Sequence, residues 1–258
     1  ASGDYFVDAP VNLASTGSFS TKRAVEESID YTIITELGNE DSVRDDTLQG
    51  MVTDSGYISP PPTNYVLGTN IDAASAVTWN DGAGFRPILE FYGHFDGLGH
   101  TISNLTIQNV AVLNEFGGLD FPFRNGGGGS AGLFANFSGP SIRNLALVEV
   151  DIMGGSRVGA LAGSMLGVSA INVSITGRIE GNRYVGGLAG QVTSNGGVVS
   201  SLAGVAVEAD VFGVMNGALT NESFAVGGII GSLDTGATLF GSRFSGNVEG
   251  DNTVGGLV

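Results

Sequence analysis

A short motif of glycines and aliphatic residues recurs along the second half of the chain. Its copies read AGLFAN, VGALAG, VGGLAG, VGGIIG and VGGLV, and they begin at Ala131, Val158, Val185, Val226 and Val254. The starts lie 27, 27, 41 and 28 residues apart. Self-similarity at a fixed period of this length is typical of repeat architectures. The pattern therefore predicts a structural unit of about 27 residues.

The residues in front of the motif repeat as well. Apolar residues stand six and ten positions before three of the copies: Ile152 and Val148, Ile179 and Ile175, Val248 and Phe244. A glycine lies four positions before each of the same copies. In residues 171–175 apolar and polar side chains alternate, which is typical of a strand with one buried face. Each unit is thus predicted to contain a strand, a glycine turn and a second strand.

An earlier copy is found when residues 101–112 are aligned with residues 141–152, so that Ile102 meets Ile142 and Leu105 meets Leu145. This interval is 40 residues, and its excess falls in a stretch that contains the glycine-rich residues 125–130. The 41-residue interval needs a similar insertion, which we place near residues 208–222. Insertions of this kind form loops on one face of a repeat protein.

A unit of this size is too small to bury its own apolar face, and stacking consecutive units solves that problem. Equivalent strands then pair in parallel at about 4.8 Å, because each returns to its position after a full circuit rather than a hairpin. Glycine suits the sharp corners of such a circuit, since some corner residues need a positive φ. We therefore expect an all-β, parallel β-solenoid in which Val158, Val185, Val226 and Val254 lie in one column.

The first 90 residues differ from the rest, because they lack the repeat and hold five of the seven prolines. We interpret residues 1–90 as an atypical N-terminal cap or leading segment, and residues 91–258 as solenoid repeats truncated at the C-terminus. Within the leading segment, residues 31–35 and 64–67 are predicted strands. Residues 42–49 are a predicted short helix capped by Ser42.

Composition narrows the choice of partners and stabilising chemistry. The formal net charge is −16, which opposes binding to nucleic acid or to anionic membrane surfaces. The sequence has no cysteine, so disulfides and thiolate sites are excluded, and Lys22 is its only lysine. No apolar run reaches the length of a transmembrane helix. An acidic surface suits high ionic strength or divalent cations without identifying a site.

The VGGLAG units resemble the GLUG-type repeats of large bacterial surface proteins. Segments of the leading region, among them residues 64–72, 79–88 and 95–102, are similar to those that precede such repeats in filamentous-haemagglutinin-like exoproteins. The resemblance implies a right-handed parallel β-helix, secretion and adhesion, with this chain as an internal piece. Some secreted metallopeptidases also carry GLUG-type repeats, but their zinc motif is missing here, so that activity is not implied.

Few residues are candidates for chemistry. His94 and His100 are the two histidines, no His-Glu-x-x-His sequence occurs, and we predict structural roles for both. A calcium-and-arginine site like that of β-helical polysaccharide lyases would need acidic and arginine side chains to meet. The candidates are Asp72, Asp81, Asp96, Asp120, Arg86 and Arg124. Because fold analogy is its main support, and Asp96-Gly97 is also typical of a turn, we predict no catalytic, metal or cofactor residue, with Ca²⁺ as the one cofactor considered.

Two further sets of residues have competing explanations. Asn104, Asn144 and Asn172 fall at similar points of three units, which favours a ladder of stacked amides. The alternative is N-glycosylation, since Asn104, Asn136, Asn172 and Asn221 all begin acceptor sequences. Three phenylalanines near the glycine-rich stretch either form an exposed contact patch or fold over the flank of the stack: Phe116, Phe121 and Phe123.

The leading hypothesis is a structural or adhesive segment of a secreted or cell-surface protein, not an enzyme. Its expected partners are a host or neighbouring-cell surface, a glycan or another copy of itself, with no nucleic acid and no membrane insertion. The alternatives are a β-helical polysaccharide-degrading enzyme and a subunit of a self-assembling extracellular filament.

Overall fold

The structure is a computed structural model that describes residues 5, 7–22, 26–42, 46–51, 64–110, 112–113, 119–123, 129–214 and 225–258. For residues 112, 113, 119 and 120 it describes the backbone alone. Strands hold 51% of the described residues and helices 6%, so the described part of the chain is all-β.

The first ten strands lie between residues 19 and 120. They are β1 (Phe19–Thr21), β2 (Ile29–Ile34), β3 (Tyr65–Leu67), β4 (Ile71–Asp72), β5 (Ile88–Phe91), β6 (His94–Asp96), β7 (Thr101–Ser103), β8 (Thr106–Asn109), β9 (Val112–Leu113) and β10 (Leu119–Asp120). Between them lie two 3-10 helices, Gln49–Met51 and Ala74–Thr78, and a helical turn, Trp79–Gly82.

The later strands follow the repeat. They are β11 (Phe134–Phe137), β12 (Ser141–Gly154), β13 (Arg157–Val158), β14 (Ala162–Leu166), β15 (Ser169–Gly181), β16 (Tyr184–Gly186), β17 (Ala189–Thr193), β18 (Ser201–Ala203), β19 (Ala206–Gly213), β20 (Ala225–Gly227), β21 (Ile230–Leu233), β22 (Thr238–Phe240), β23 (Arg243–Ser245), β24 (Val248–Glu249) and β25 (Thr253–Gly255).

Three sheets of the described chain are built from parallel pairs. The first runs β2-β3-β6-β12-β15-β18-β22, with β1 antiparallel on β2 at its edge and with β4, β7, β8, β19, β23 and β24 extending its longer strands. The second sheet runs β5-β11-β14-β17-β21 and the third runs β13-β16-β20-β25. Strands β9 and β10 form a separate antiparallel pair. Each of the three parallel sheets therefore contains strands from the same position in successive units.

The third sheet contains the glycine motif. Val158 is opposite Val185, Val185 is opposite Val226, and Val226 is opposite Val254. Ala131 forms a single parallel bridge with Val158, which adds the first copy of the motif to the same column. The four valines that the repeat aligns are therefore neighbours on adjacent parallel strands.

The earlier copy of the repeat pairs in a different register from the predicted one. Ile102 is opposite Leu147, and Ile142 is opposite Phe95. Each unit has two corners about five residues apart, and both accept residues with a left-handed backbone: φ is +57° at Asn104, +52° at Asn144 and +54° at Glu149. The sequence alignment matched Asn104 to Asn144, whereas Asn104 belongs to the corner of Glu149.

The core lies between the sheets and is continuous along the chain. Its buried side chains run from Ile34 in β2 to Ile230 in β21. Four phenylalanines on the second sheet and β6 pack together within it, with ring centroids 5.0 to 6.3 Å apart: Phe91, Phe95, Phe134 and Phe137. Rings in tilted and edge-on arrangements at these distances attract one another beyond simple area burial.

Strands from both sides of residue 90 share the first sheet, and the domain boundary at that residue stays a prediction. The predicted strands at residues 31–35 and 64–67 are confirmed as β2 and β3. The predicted helix at residues 42–49 is not found in its described part, where bends lead into the 3-10 helix Gln49–Met51. Ser42 Oγ accepts the Asn39 N–H and so caps a turn.

Candidate functional site

A groove of about 400 Å³ lies beside the outer face of the first sheet. Its walls are formed by residues that precede and include β1 and β2, and by the beginnings of β6, β12 and β15. The lining combines two tyrosines, two glutamates, a lysine, an arginine, a histidine and two serines. These are Tyr5, Tyr31, Glu26, Glu27, Lys22, Arg143, His94, Ser141 and Ser169.

Strand alternation explains why polar side chains face the groove. Phe95, in the middle of β6, and Ile142, near the start of β12, are fully buried in the core. Their neighbours therefore point to the opposite face of the sheet. His94 is opposite Ser141, and Asp96 is opposite Arg143, in the same parallel register. The sheet thus places two polar pairs side by side on its outer face.

The leading residues are held over this face by a small second cluster. Ile33, Val66 and Leu98 are buried on the outer side, and Tyr5 and Tyr31 pack against them together with other leading residues. The ring of Tyr31 also meets Phe19 edge-on, with centroids 5.3 Å apart. Both tyrosine rings are consequently fixed in the wall of the groove.

Asp96 forms the floor beneath Tyr5. It is 2% exposed, its Oδ2 accepts the Tyr5 hydroxyl, and its Oδ1 accepts the Leu98 N–H at 2.9 Å and the Asn144 Nδ2 at 3.2 Å. Burial, and secondly the hydrogen bond to Asp96, raise the pKa of the Tyr5 phenol. Tyr5 therefore remains a neutral donor, and the buried carboxylate is supplied with three hydrogen bonds.

Next to it, Ser141 is held between a histidine and an arginine. Its Oγ lies 2.7 Å from His94 Nδ1 and accepts the Arg143 Nη2 at 3.2 Å. The Arg143 guanidinium lies 5.4 Å from the centroid of the Tyr5 ring. Because Ser141 is 4% exposed and His94 is its neighbour across the strands, these contacts fix the groove's polar groups in place. The arrangement offers donors and aromatic faces to a polar ligand.

The second histidine has a structural environment. His100 is 1% exposed, its Nε2 lies 2.9 Å from the Val11 carbonyl oxygen, and its Nδ1 lies 3.1 Å from Asn70 Oδ1. The prediction that this imidazole satisfies backbone groups in a turn is confirmed.

The residues considered for a calcium-and-arginine site do not converge in the described part of the chain. Asp72 accepts the Ala74 N–H and the Asn104 side chain, and these two bonds lower the pKa of its carboxyl, the Asn104 bond more. Asp81 lies in the left-handed turn Trp79–Gly82, and Asp96 lies beneath Tyr5. The side chain of Asp120 and all of Arg124 lie outside the described residues. Among the described side chains, no three acidic or histidine groups are close enough to hold a metal ion.

The amide ladder is present for two of its three predicted members. Asn172 Nδ2 donates to Asn144 Oδ1 at 3.1 Å, and Asn144 in turn donates to Asp96. Asn104 belongs to the other corner, where its Nδ2 donates to Asp72 Oδ1 at 2.8 Å.

The remaining predicted residues lie apart from the groove. Asn136 is on the second sheet, and its amide donates to Glu90 Oε1 at 2.8 Å. Asn221 and Phe116 lie outside the described residues. Phe123 is buried in the main core, which agrees with a fold over the flank, and Phe121 is partly exposed.

The groove itself was missed by sequence reasoning. Tyr5, Tyr31, His94 and Arg143 belong to four separate segments, and no motif joins them. The one signal in the sequence is that polar residues flank a buried apolar residue in each of two strands: His94 and Asp96 flank Phe95, and Ser141 and Arg143 flank Ile142. That signal needs the correct strand register, which the sequence alignment did not supply.

The sequence is similar to parts of much longer proteins. It is 34% identical over 144 residues to halomucin of Haloquadratum walsbyi, covering 51% of this chain and 1% of halomucin. It is 32% identical over 133 residues to an immunoglobulin A1 protease of Streptococcus pneumoniae, and 31% identical over the same length to one of Streptococcus sanguinis. These matches cover 48% of this chain and 6% and 7% of the two proteases. The chain therefore spans a small part of the length of its relatives, which are large secreted or cell-surface proteins.

A proposed immunoglobulin A1 protease from Bacteroides ovatus has a crystal structure that aligns over 88% of this chain and 84% of that one, with 15% identity and a TM-score of 0.48. No protein family model matches the sequence. In the described residues, no helix has both the length and the apolar character needed to cross a membrane.

The prediction that the chain is not an enzyme is overturned by these relatives. Three proteins that match 48% of the chain are named as proteases. The kinship is partial and distant, and it connects this chain to enzymes as well as to halomucin.

Proposed function

We propose that the chain is a right-handed parallel β-solenoid segment of a large secreted or cell-surface protein. Coils of about 27 residues, of the GLUG type found in filamentous-haemagglutinin-like exoproteins, form residues 91–258, and residues 1–90 lead into them. The observation that carries the proposal is the column of Val158, Val185, Val226 and Val254 on adjacent parallel strands. Parallel strands joined by full circuits give a stack in which each coil covers the one before it.

In this proposal the segment is adhesive and extracellular. The first sheet presents an outer face with a polar, aromatic groove, and the acidic surface keeps the molecule apart from nucleic acid and anionic membranes. A cell surface, a glycan or a second copy of the chain is the partner. The relatives' secreted or surface character supports the location.

Engineered disulfides test the stack, since the sequence contains no cysteine. Asp151 is opposite Arg178, and Arg178 is opposite Asp210. Neighbouring strands lie about 4.8 Å apart, within the Cα separation that a disulfide spans, whereas strands two apart do not. The double variant Asp151→Cys, Arg178→Cys should form an intramolecular disulfide on mild oxidation. The control Asp151→Cys, Asp210→Cys should remain reduced, and bonding in the control alone would contradict the proposed stacking.

Binding of the fluorescently labelled chain to cells and to immobilised glycans tests the adhesive role. Saturable binding that excess unlabelled chain displaces is the expected result. If the expected disulfide forms but the chain binds to none of these surfaces, the segment is a spacer and the adhesive role is contradicted.

A second candidate follows from the names of the relatives that match 48% of the chain. In it, the chain is a segment of a secreted protease that acts on immunoglobulin A1. Incubation of the folded chain with immunoglobulin A1, followed by mass spectrometry of the fragments, tests it. New fragments that the heat-unfolded chain does not produce would favour this candidate over the adhesive one.

A further inference from the structure

We infer that His100 is a doubly protonated imidazolium that latches the leading residues of the chain onto the first sheet, and that this latch loosens as the pH rises. The leading strap is defined as residues 7–13, which cross the outer face of the sheet. Such a latch is independent of the adhesive role and of the identity of any ligand.

The strap is attached to the sheet by apolar packing and by backbone hydrogen bonds. Val7 and Leu13 pack against the small apolar cluster on the outer face. The Val11 N–H donates to the Leu98 carbonyl oxygen at 3.0 Å. These contacts do not depend on the ionisation of any side chain. The carbonyl oxygen of the same Val11 faces the ring of His100, and that contact does.

Both ring nitrogens of His100 face oxygen atoms that only accept hydrogen bonds. Nε2 lies 2.9 Å from the Val11 carbonyl oxygen, and Nδ1 lies 3.1 Å from Asn70 Oδ1. The Asn70 amide is oriented by the Thr101 N–H, which donates to the same Oδ1 at 3.1 Å. A neutral imidazole has one N–H and one lone pair, so one of the two oxygens would meet a lone pair. The imidazolium has two N–H groups and donates to both oxygens.

Burial makes the mismatch of the neutral ring costly. His100 is 1% exposed, which leaves solvent little access to supply a missing donor. A buried polar group without a partner costs more free energy than an ordinary hydrogen bond contributes, whereas a buried charge is tolerated when it is hydrogen-bonded. The two acceptors are therefore matched by the protonated ring alone.

Charged groups around His100 are engaged elsewhere or face solvent. The segments packed around the ring are the strap with Tyr5 before it, the turn that begins at Asp96, residues 70–72 and β12. Their titratable side chains are Tyr5, Asp8, Asp72, Asp96, Arg143, Glu149 and Asp151. Tyr5 donates to Asp96, Arg143 donates to Ser141, and the other four are exposed. The protonation of His100 is thus set by its two oxygen partners, one of which belongs to the strap.

The position of the strap connects this proton to the groove. Tyr5, which forms part of the groove wall, stands just before the strap. A histidine whose strap is released is free to lose its second proton between about pH 5 and 8. The docked state retains that proton, so docking is firmest in acid and weakens as the pH rises through and above this range. The outer face of the first sheet therefore becomes more accessible as the pH rises.

Nitrogen NMR of the full 258-residue chain, labelled with ¹⁵N in its histidines, tests the state of the ring. At about pH 7 an unpartnered histidine is mostly neutral. We expect His100 to show the two nearly equal ring shifts of an imidazolium at this pH. Comparison with the spectrum of His100→Gln assigns the signal. The widely separated shifts of a neutral tautomer would overturn the inference.

Amide hydrogen exchange tests the latch itself. The Val11 N–H reports docking, because its acceptor is the Leu98 carbonyl oxygen of the sheet. After correction for the intrinsic effect of pH on exchange, we expect its protection to be about tenfold higher at about pH 5.5 than at about pH 8. Tenfold is the ratio that one charge-assisted hydrogen bond produces. Amides of β15, which pairs with strands on both sides, should change less than about twofold.

His94→Gln is the matched control, because it removes the other histidine, whose ring lies against Ser141. It should keep the tenfold difference at Val11, whereas His100→Gln should show equal protection at the two pH values. A difference that survives in His100→Gln, or that disappears in His94→Gln, would overturn the inference. If His100→Gln does not fold, the ring shifts of the parent chain and the exchange of His94→Gln still decide it.

Discussion

At the scale of single residues, the backbone conformation at the corners of the first sheet limits which residues can occupy them. Positive φ values recur at equivalent points of neighbouring units. The first corner contains Asn144, Asn172, Gly204 and Gly241, and the second contains Asn104 and Glu149. Glycine and asparagine tolerate a left-handed backbone better than other residues. Asparagine is therefore found at those corners where its side chain also forms a hydrogen bond.

Asn144 combines this backbone with burial and two amide contacts. We expect Asn144→Ala to lower the free energy of unfolding by about 2 kcal/mol, from backbone strain and from the lost hydrogen bond to Asp96. Asn144→Gly keeps the allowed backbone and should cost about 1 kcal/mol. Urea denaturation measures both, with Asn172→Gly at the exposed neighbouring corner as the control. Equal costs for alanine and glycine at position 144 would show that the backbone conformation is not the cause.

Titration of Tyr5 makes the stability of the folded protein depend on pH. Its pKa is raised above the ordinary value of 10.0, first by burial and then by Asp96. The unfolded state therefore loses this proton at a lower pH than the folded state, so the stabilisation is complete below about pH 10 and decreases as the pH rises further. Tyr31, whose pKa burial also raises, acts in the same direction.

We expect the thermal midpoint to fall between pH 9.5 and about 11. Tyr5→Phe should have a lower midpoint at pH 8 and a shallower fall above pH 10, because it has no proton to lose. Thermal melts followed by circular dichroism at these pH values measure both. A fall of unchanged steepness in Tyr5→Phe would contradict the role given to this phenol.

At the scale of elements, the glycines of the repeated motif are needed because the second and third sheets approach closely. A Cβ on Gly186 in β16 would lie 2.3 Å from the Ala189 carbonyl oxygen and 2.6 Å from the Gly231 backbone nitrogen. We expect Gly186→Ala to lower the free energy of unfolding by about 2 to 3 kcal/mol. A Cβ on Gly256, in the last copy of the same motif, would meet nothing within 4 Å, and Gly256→Ala should change stability by less than about 0.5 kcal/mol. Equal effects in chemical denaturation would mean that chain entropy, not contact, explains the motif.

The close approach of the second and third sheets also explains which part of the fold could be predicted from the sequence. Three of the four intervals between copies of the glycine motif are 27 or 28 residues, because the motif meets equivalent neighbours in successive units. The third sheet and its column of valines therefore follow from the pattern alone. The strands of the leading segment carry no such motif. Thr32 pairs with Tyr65, and Tyr65 with Phe95, at intervals of 33 and 30 residues, and only the structure reveals that these strands extend the first sheet.

The groove could not be predicted for a related reason. Its polar groups are brought together by strand register, and the register around Asn104 was wrong by one corner. Tyr5 and Tyr31 reach the groove through an apolar cluster on the outer face, which breaks the simple rule that inward residues are aliphatic and outward ones polar. A rule based on alternation predicts which residues leave the core, but not which of them meet a covering segment.

At the scale of the whole molecule, the main feature is the large excess of negative charge. With 26 acidic and 10 basic side chains, the folded state brings like charges closer together than the unfolded chain does. Salt shortens the range of this repulsion to about 3 Å at 1 M, so stability should rise with NaCl concentration. We expect the thermal midpoint to increase by about 5 °C between 0.05 and 2 M NaCl, on the order of 2 kcal/mol.

Two exposed glutamates on neighbouring strands of the first sheet separate this charge effect from a general effect of salt on apolar burial. The double variant Glu208→Gln, Glu249→Gln removes two negative charges without touching the core. It should be more stable than the parent chain at 0.05 M NaCl and gain less from added salt, because less repulsion remains to be screened. Sucrose, which strengthens burial without screening charge, should stabilise both proteins equally. Parallel salt curves for the two proteins would instead assign the salt response to apolar burial and leave the acidic surface without a part in stability.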